Sequence, residues 1–263
     1  MDLGLKGKSI IVTAASKGLG KATALEYARE GAHVLIASRD ETQLQQTVEE
    51  IKQESENPNI QYIVCDVKKP TDIQQMVQAA VDWNGTVDVL INNAGGPPAG
   101  TFDQFSDEDW QHAFELNLLS VIRSVREVLP YMKKQGHGHI VTIASSSIKQ
   151  SLDNLLLSNV FRPGILGLAK SLSQELSQYN IFINTVGPGM IKTDRIIDIN
   201  KQKAKETGTT LEEMMGQAEQ TIPIGRLGEP DEFAKAVVFL GSNANTYITG
   251  QALIVDGGLV KAL

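Results

Sequence analysis

The feature that most constrains the fold is an alternation of short apolar runs with longer amphipathic segments along the whole chain. Seven such runs, rich in Val and Ile, occupy residues 9–13, 33–38, 61–65, 88–92, 139–145, 181–186 and 252–256. Apolar side chains without polar alternation are typical of strands buried on both faces. Strand and helix patterns that alternate this often predict a single α/β domain over residues 1–263, with a doubly wound parallel sheet and helices on both faces.

Composition narrows the classes of protein to which the chain can belong. A formal net charge of -7 without a basic run disfavours binding to nucleic acid. The sequence contains no apolar stretch of membrane-spanning length and no signal-peptide pattern at its start, so we expect no membrane association. The single cysteine, Cys65, ends an apolar run and reads as a small buried side chain. Together these features predict a cytoplasmic protein, and the sequence suggests no metal site.

A glycine-rich segment, TAASKGLG at residues 13–20, links the first predicted strand to the first predicted helix. Glycines at such a junction let the backbone approach a pyrophosphate, which is attracted by the free N–H groups and the dipole of the helix N-terminus. In the order strand, loop, helix, strand, the segment predicts a Rossmann-like dinucleotide site.

One segment departs from the alternation. Residues 190–225 are polar, charged and helix-prone, and they follow the sixth predicted strand. Loops at the carboxyl ends of strands often cover ligands in sheets of this kind. Two interpretations remain open, a lid over the ligand or a solvated excursion at the surface.

The chain resembles the short-chain dehydrogenase/reductase family over nearly its full length. The motifs that carry the resemblance follow in the family's order and are the glycine-rich loop, Asn92-Asn93-Ala94-Gly95, Asn117, Ser145, and Pro188-Gly189 followed by Thr193. The segment GRLGEPDEFAKAVVFLGS further resembles bacterial 3-oxoacyl-acyl-carrier-protein reductases. One departure lies in the glycine-rich loop, where Ala14 replaces the family's first glycine. We expect the loop to persist because Gly18 and Gly20 are intact.

The resemblance implies a nicotinamide cofactor and a small-molecule carbonyl or hydroxy substrate. NADP(H) is favoured and NAD(H) remains possible, because Ser38 stands where an acid would bind the adenosine ribose of NAD. Arg39 and Lys17 are suited to a 2′-phosphate, and Asp40 reads as a helix cap. The candidate cofactor contacts are Thr13, Ser16, Lys17, Gly18, Leu19, Gly20, Ser38, Arg39, Asp66, Val67, Asn93, Ala94, Gly95, Pro188, Gly189 and Thr193.

The expected catalytic pair is missing. In the family a tyrosine follows the strand-five serine by thirteen positions and a lysine follows four later, but here those positions hold Ser158 and Arg162. No tyrosine of the chain has a lysine four positions later. Serine is a far weaker acid than tyrosine, and arginine stays protonated, so neither replaces the family's proton donor. The candidate catalytic residues are Ser145, Asn117, Arg162 and Ser158.

Pro163 leaves two possible start points for the helix that carries Ser158 and Arg162. Proline favours the first turn of a helix, which predicts a start near Arg162. The family resemblance implies an earlier start, with Pro163 bending the helix.

Four functions are consistent with these observations. They are an NADP(H)-dependent oxidoreductase with an altered proton donor, a non-catalytic NADP-binding protein, a dehalogenase-like enzyme and a purely structural protein. The retained cofactor motifs disfavour the last two, and retention of Ser145 and Asn117 favours the first. The resemblance and the apolar C-terminal segment QALIVDGGLVKAL further predict a homotetramer.

Overall fold

The computed structural model describes residues 1–262, apart from the side chains of residues 202, 203 and 206. The described chain forms one seven-stranded sheet in the order β3-β2-β1-β4-β5-β6-β7. Every neighbouring pair of strands in it runs parallel. The strands are β1 (Ser9–Thr13), β2 (His33–Ser38), β3 (Ile60–Val64), β4 (Val89–Asn92), β5 (Gly138–Ile143), β6 (Ile181–Pro188) and β7 (Ala252–Val255).

Helices connect the strands. They are α1 (Gly18–Arg29), α2 (Glu41–Ser55), α3 (Pro70–Asn84), α4 (Asp107–Phe114), α5 (Ser120–Gln135), α6 (Leu156–Leu176), α7 (Asp194–Thr207), α8 (Leu211–Gln220) and α9 (Pro230–Leu240). A π-helical turn at Glu115–Leu119 joins α4 to α5, and 3-10 turns occur at Phe102–Gln104, Ser146–Ile148 and Ser177–Tyr179.

Alternate side chains of β1, an interior strand, enter two separate apolar cores. Ile10 and Val12 of β1 pack with α1, α2 and α9, whereas Ile11 packs with α3, α5 and α6. All three side chains are fully buried. Because helices cover both faces of the sheet, its central strands are apolar throughout, as the sequence shows. The predicted doubly wound parallel sheet with helices on both faces is confirmed.

The direction of winding reverses between β1 and β4. These strands are neighbours in the sheet, although β2 and β3 lie between them in the sequence. The connections that follow them diverge and leave a crevice above their carboxyl ends, where ligands bind in open α/β sheets. Thr13 ends β1 and Asn92 ends β4 at the mouth of this crevice.

All seven predicted strands are present, with some ends displaced by one or two residues. Predicted bounds differ from the observed ones in β3, β4, β5, β6 and β7. β5 ends at Ile143 because Ser145 leaves the ladder to cap a 3-10 turn, where its hydroxyl accepts a hydrogen bond from the Ser147 N–H. β6 continues to Pro188 because it pairs with β7 as far as Val255.

Helix α6 begins earlier than the proline pattern predicts. The expected start near Arg162 is wrong, because the helix spans Leu156–Leu176 and encloses Pro163. An internal proline costs about 3 kcal/mol or more. The side chains of Leu157 and Ile165 are almost fully buried, and each such burial contributes roughly 2 kcal/mol, which offsets that cost. The earlier start implied by the family resemblance is confirmed.

Cys65 is buried and unpaired. Burial raises the pKa of its thiol to about 12, with a smaller contribution from Asp72, so the thiol is protonated at neutral pH. Among the described helices, none combines the length and the apolar character that a bilayer crossing requires. The described residues also hold no cluster of three or more histidine, cysteine, aspartate or glutamate side chains suited to a metal ion.

His139 gives the fold a pH dependence that can be measured. Its ring is buried in β5 and stacks on Phe182 with 5.2 Å between centroids, and its Nδ1 has no described hydrogen-bond partner. Burial, followed by the effect of His137, lowers the pKa of His139 to about 4 from 6.5. The unfolded chain therefore takes up this proton before the folded chain does, and stability falls as the pH falls from 6.5 to 4. We expect His139 to account for a loss of about 3 kcal/mol over this range.

Urea denaturation at several pH values tests this expectation, with His139→Phe as the comparison. Phenylalanine keeps the stacked ring but cannot bind a proton. The stability of the variant is expected to depend less steeply on pH between 6.5 and 4. Equal slopes in the two proteins would contradict the assignment to His139.

Candidate functional site

The loop between β1 and α1 has the shape of a phosphate cradle. A Cβ on Gly20 would lie 2.5 Å from the Ala14 carbonyl oxygen and 2.7 Å from Asn93 Nδ2, so this position admits only glycine. Helix α1 begins at Gly18, and its N-cap residue Lys17 provides no side-chain hydrogen bond to the first turn. The first N–H groups of the helix are thus available to an anion such as a pyrophosphate. These features fit the predicted dinucleotide.

Ala14 adopts a left-handed backbone conformation, with φ at +46°. This conformation is costly for a residue that has a Cβ. The loop nevertheless keeps its path, because Ala14's carbonyl oxygen accepts a hydrogen bond of 3.1 Å from Asn93 Nδ2. The expectation that the loop persists despite the lost glycine agrees with this geometry.

The end of β2 is polar, as expected of a site that binds the adenosine ribose. The hydroxyls of Ser16 and Ser38 lie 3.0 Å apart, while Lys17 and Arg39 are exposed nearby in the sequence. Neither cation has a described ion pair. Asp40 caps α2 by accepting a 3.0 Å hydrogen bond from the Gln43 N–H, as predicted, so its carboxylate is already engaged.

Thr13 and Asn93 bind each other. The Thr13 hydroxyl donates to the Asn93 carbonyl oxygen at 2.7 Å and accepts from the Asn93 N–H at 2.8 Å. Both residues were expected to contact the cofactor, but these two groups of theirs join the ends of β1 and β4. Their contacts therefore shape the crevice.

The remaining predicted cofactor residues surround the same edge of the sheet. Asp66 follows β3, and its carboxylate accepts a 3.1 Å hydrogen bond from the Lys68 N–H. Pro188 ends β6. Thr193 lies against the glycine-rich loop, since a Cβ on Gly18 would be 3.8 Å from its Cγ2. The carboxyl ends of β1, β3 and β6 lie along the same edge of the sheet, and the cofactor contacts themselves remain predictions.

Three serines form a chain behind β5. The Ser145 hydroxyl accepts from the Ser147 N–H at 3.1 Å, and the hydroxyls of Ser147 and Ser158 lie 3.0 Å apart. Ser147 and Ser158 are each only 4% exposed. The short side chain of Ser158, at the expected tyrosine position, is thus bonded to protein. Sequence reasoning missed Ser147, whose only signal was its place in the run ASSS.

Arg162 lies in a narrow cavity beneath the crevice, beside Asn92, Asn117 and Thr142. It is 6% exposed, and its one described hydrogen bond is a long one of 3.4 Å to the Ile143 carbonyl oxygen. Burial, with a smaller contribution from Arg195, lowers the pKa of Arg162 to about 10. The guanidinium therefore keeps its charge at neutral pH.

Asn117 sits in the π-helical turn, and one end of its amide is engaged. Nδ2 donates to the Ala113 carbonyl oxygen at 3.2 Å, whereas Oδ1 has no described partner. Nδ2 of Asn92, in the same cavity wall, also lacks one. Buried polar atoms are nearly always hydrogen-bonded, so these two atoms are suited to a bound ligand or water. π-Helical turns are frequent at functional sites.

Arg195 is a further residue that sequence reasoning missed. It lies in the first turn of α7 and donates hydrogen bonds to the carbonyl oxygens of Gly96 at 3.2 Å and Pro97 at 3.3 Å. These contacts connect the segment 190–225 to the loop after β4. The only sequence signal was its place two residues after Thr193.

Comparisons with known proteins agree with this geometry. A family model described as enoyl-(acyl carrier protein) reductase matches residues 13–260. The chain is 35% identical over 258 residues to a 3-oxoacyl-[acyl-carrier-protein] reductase of Thermotoga maritima, covering 97% of this chain and 99% of the relative. It is 34% identical to dehydrogenase/reductase SDR family member 4 of Homo sapiens, covering 98% of this chain and 90% of that protein.

Solved structures give the same result. L-sorbose reductase from Gluconobacter frateurii, described as complexed with NADPH and L-sorbose, superposes with a TM-score of 0.95 and 32% sequence identity. The match covers 100% of both chains. A reductase described as NADPH-dependent and involved in bacilysin biosynthesis superposes with a TM-score of 0.92 and 28% identity, covering 98% of this chain and 100% of that one.

The strain at Ala14 can be tested by substitution. Ala14→Gly should raise the free energy of unfolding by about 1 kcal/mol, because glycine adopts positive φ without the cost of a Cβ. The matched control is Ala15→Gly. Ala15 is fully buried in the core beside Ala14, does not adopt a positive φ, and should lose stability on substitution. Chemical denaturation of both variants is the measurement, and a destabilised Ala14→Gly would contradict the assigned strain.

Proposed function

The chain belongs to the short-chain dehydrogenase/reductase family, and we propose that it is an NADP(H)-dependent oxidoreductase whose proton donor is not a tyrosine. An NAD(P)-dependent oxidoreductase acting on carbonyl or alcohol substrates is the class shared by the named relatives, and this class holds for the chain. The specific proposal concerns the proton. Its principal support is the buried Arg162, which remains charged next to two unpartnered amide atoms.

NADP(H) is the proposed cofactor, and NAD(H) remains a weaker alternative. Two solved relatives are described with NADPH, and this agrees with Ser38 in place of an acid at the end of β2. The free helix start at Gly18 and the cradle around Gly20 would hold the pyrophosphate. Arg39 and Lys17 would bind the 2′-phosphate.

In the proposed reaction, the side chains of the site have the following roles. NADP(H), held at the cradle around Gly20 and the start of α1, would supply or accept a hydride at the carbon of the substrate. The Ser145 hydroxyl, at the end of β5, donates a hydrogen bond to the substrate oxygen, and Arg162 supplies positive charge where negative charge develops on it. The proton reaches that oxygen from water held by Ser145 and Asn117, because neither Ser158 nor Arg162 is a suitable acid at neutral pH.

A second candidate function is a catalytically impaired NADP-binding protein with a regulatory or assembly role. The bond between Ser147 and Ser158 favours it, since this contact engages the hydroxyl at the tyrosine position. Assaying NADPH oxidation over a broad panel of carbonyl compounds, together with cofactor binding, separates the two. Binding without any turnover would favour the second candidate.

Cofactor preference is expected to depend on Arg39. NADPH should bind more tightly than NADH, and Arg39→Ala should remove most of this preference because a charge-assisted contact to the 2′-phosphate is lost. Fluorescence titration of both cofactors measures this directly. Arg29→Ala, a change of equal charge at an exposed residue ion-paired with Glu26, is the control. Equal affinities in the unmodified protein would contradict the proposal.

Activity on simple ketones is expected to be low, because a positioned general acid contributes about 10²- to 10⁴-fold to a rate. Ser145→Ala should reduce whatever activity exists, and Arg162→Ala should weaken use of the cofactor. Ser158→Ala should have a much smaller effect. The double variant Ser158→Tyr with Arg162→Lys should raise reduction of simple ketones if the geometry of α6 is retained.

Steady-state rates of NADPH oxidation check these variants, and circular dichroism checks that they fold. Loss of a vigorous activity in Ser158→Ala would show that Ser158 itself is catalytic. No gain in the folded double variant would mean that the pocket no longer admits a carbonyl in the family's position.

We also propose a homotetramer. β7 is an edge strand of the sheet, with Leu253 44% exposed, and Tyr247 and Ile248 are exposed just before it. Exposed apolar groups on an edge strand favour association with another copy. Light scattering should give four times the mass of the chain, and a stable monomer would refute this.

Two further proposals concern a lid over the crevice and the cellular location of the protein. Segment 190–225 contains α7 and α8 and contacts the loop after β4 through Arg195, which supports a lid over the crevice. A cytoplasmic location is proposed because the single cysteine, Cys65, is buried as a thiol.

A further inference from the structure

Two arginines at the crevice lack an acid to neutralise them. Arg162 of α6 has one long bond to a carbonyl oxygen, and Arg195 of α7 bonds only the carbonyl oxygens of Gly96 and Pro97. No aspartate or glutamate with a described side chain forms an ion pair with either arginine. In a chain of net charge -7, this is a local excess of positive charge.

The two charges repel each other. Burial lowers the pKa of both guanidiniums, and the charge of Arg195 lowers the pKa of Arg162 further. Arg162 is buried without a counter-ion, which destabilises the fold, and the positive charge of the exposed Arg195 adds to that cost. A bound anion would remove both penalties, and groups perturbed in this way often mark functional sites.

Unpartnered buried atoms provide a second and independent observation. Asn92 is 3% exposed, and its Nδ2, which can donate two hydrogen bonds, has no described partner. It lines the same cavity as Arg162. β4 ends at Asn92, and the chain reaches Gly96 and Pro97, the acceptors of Arg195, within five residues. Asn92 thus links the cavity of Arg162 to the loop that holds Arg195.

We infer that Arg195 and Arg162 form a binding site for an anionic group of the substrate, which would make the substrate a carbonyl or hydroxy acid. This inference rests on the proposed function and specifies its substrate class. Arg195 is the direct contact, because it is exposed and keeps three of its five N–H donors free after the two carbonyl bonds. A carboxylate pairs with such a planar fork through two parallel hydrogen bonds. Arg162 adds a second positive charge from the cavity beneath the crevice.

Gly96 is part of this arrangement. A Cβ on Gly96 would lie 2.5 Å from Arg195 Nη2, so the guanidinium in its present position packs directly on the backbone of residue 96.

Cofactor phosphate is the other anion that such a pair could bind. Thr193, two residues before Arg195, lies against Gly18 of the phosphate cradle, and Gly95, next to the acceptors of Arg195, is a predicted cofactor contact. We assign the pair to the substrate because Arg162 lies in the same cavity as the candidate catalytic residue Asn117. The experiment separates the two sources.

The test measures equilibrium binding with a matched pair of inert probes, 4-methylpentanoate and its neutral amide, 4-methylpentanamide. Each is titrated calorimetrically at low salt into the full chain saturated with NADP⁺. The carboxylate should bind at least about tenfold more tightly than the amide. Arg195→Gln should abolish this difference, and Arg195→Lys should retain part of it because the charge remains while the fork is lost.

Lys192→Gln is the matched control. It removes one positive charge three residues away in the same segment, from an exposed lysine that already pairs with Glu229 at 3.7 Å. This variant should keep the full preference for the carboxylate. The dissociation constant of NADPH, measured by fluorescence, should change less than about twofold in Arg195→Gln, and thermal denaturation confirms that each variant folds.

Three outcomes would overturn the inference. They are equal binding of the two probes or no binding of either, a carboxylate preference that survives in folded Arg195→Gln, and a tenfold or greater weakening of NADPH in that variant, which would assign the arginine to a cofactor phosphate. Because binding needs no turnover, a carboxylate preference in a chain that reduces no carbonyl would show that the proposed reaction fails while the anion site remains.

Discussion

The site depends on the hydrogen bonds between Thr13 and Asn93. These strand ends belong to halves of the sheet that wind in opposite directions, and the crevice between them is defined only if the ends are fixed to each other. The Thr13 hydroxyl does this by serving as donor and acceptor to the backbone of Asn93, while the Asn93 amide holds Ala14 in its strained conformation. The phosphate cradle, the cavity of Arg162 and the loop under Arg195 are all built on this contact.

In the proposed function, the site combines a buried positive charge with a serine at the position where the family resemblance predicts a tyrosine. At the position of the family's lysine, Arg162 preserves positive charge at the base of the crevice, and Asn117 preserves a free carbonyl oxygen in its π-helical turn. At the tyrosine position, Ser158 is engaged with Ser147. In the proposed function these residues stabilise negative charge, and neither Ser158 nor Arg162 readily releases a proton.

Much of the fold could be predicted because strands such as β1 are buried on both faces. Burial of this kind requires an unbroken run of apolar residues, which is visible in the sequence. The cradle was equally predictable, since Gly18 and Gly20 occupy positions set by backbone geometry. The start of α6 was not, because the local preference of Pro163 is overridden by the burial of Leu157 and Ile165, which sequence order does not reveal. Arg195 could not be foreseen either. Its partners, Gly96 and Pro97, lie almost one hundred positions earlier, and contact at that separation is set by tertiary structure alone.

At the π-helical turn Glu115–Leu119, the helix content of the chain and the orientation of its Asn117 side chain can change independently. Such a turn holds one residue more than a regular helical turn, and it continues directly from α4 into α5. Deleting a single residue there would leave an uninterrupted α-helix, with all of its backbone bonds made. The same deletion would rotate the helix before it by about 100° relative to the helix after it. A homologue that differed only by this deletion would look equally well folded by any measure of helix content, yet its asparagine would no longer face the cavity.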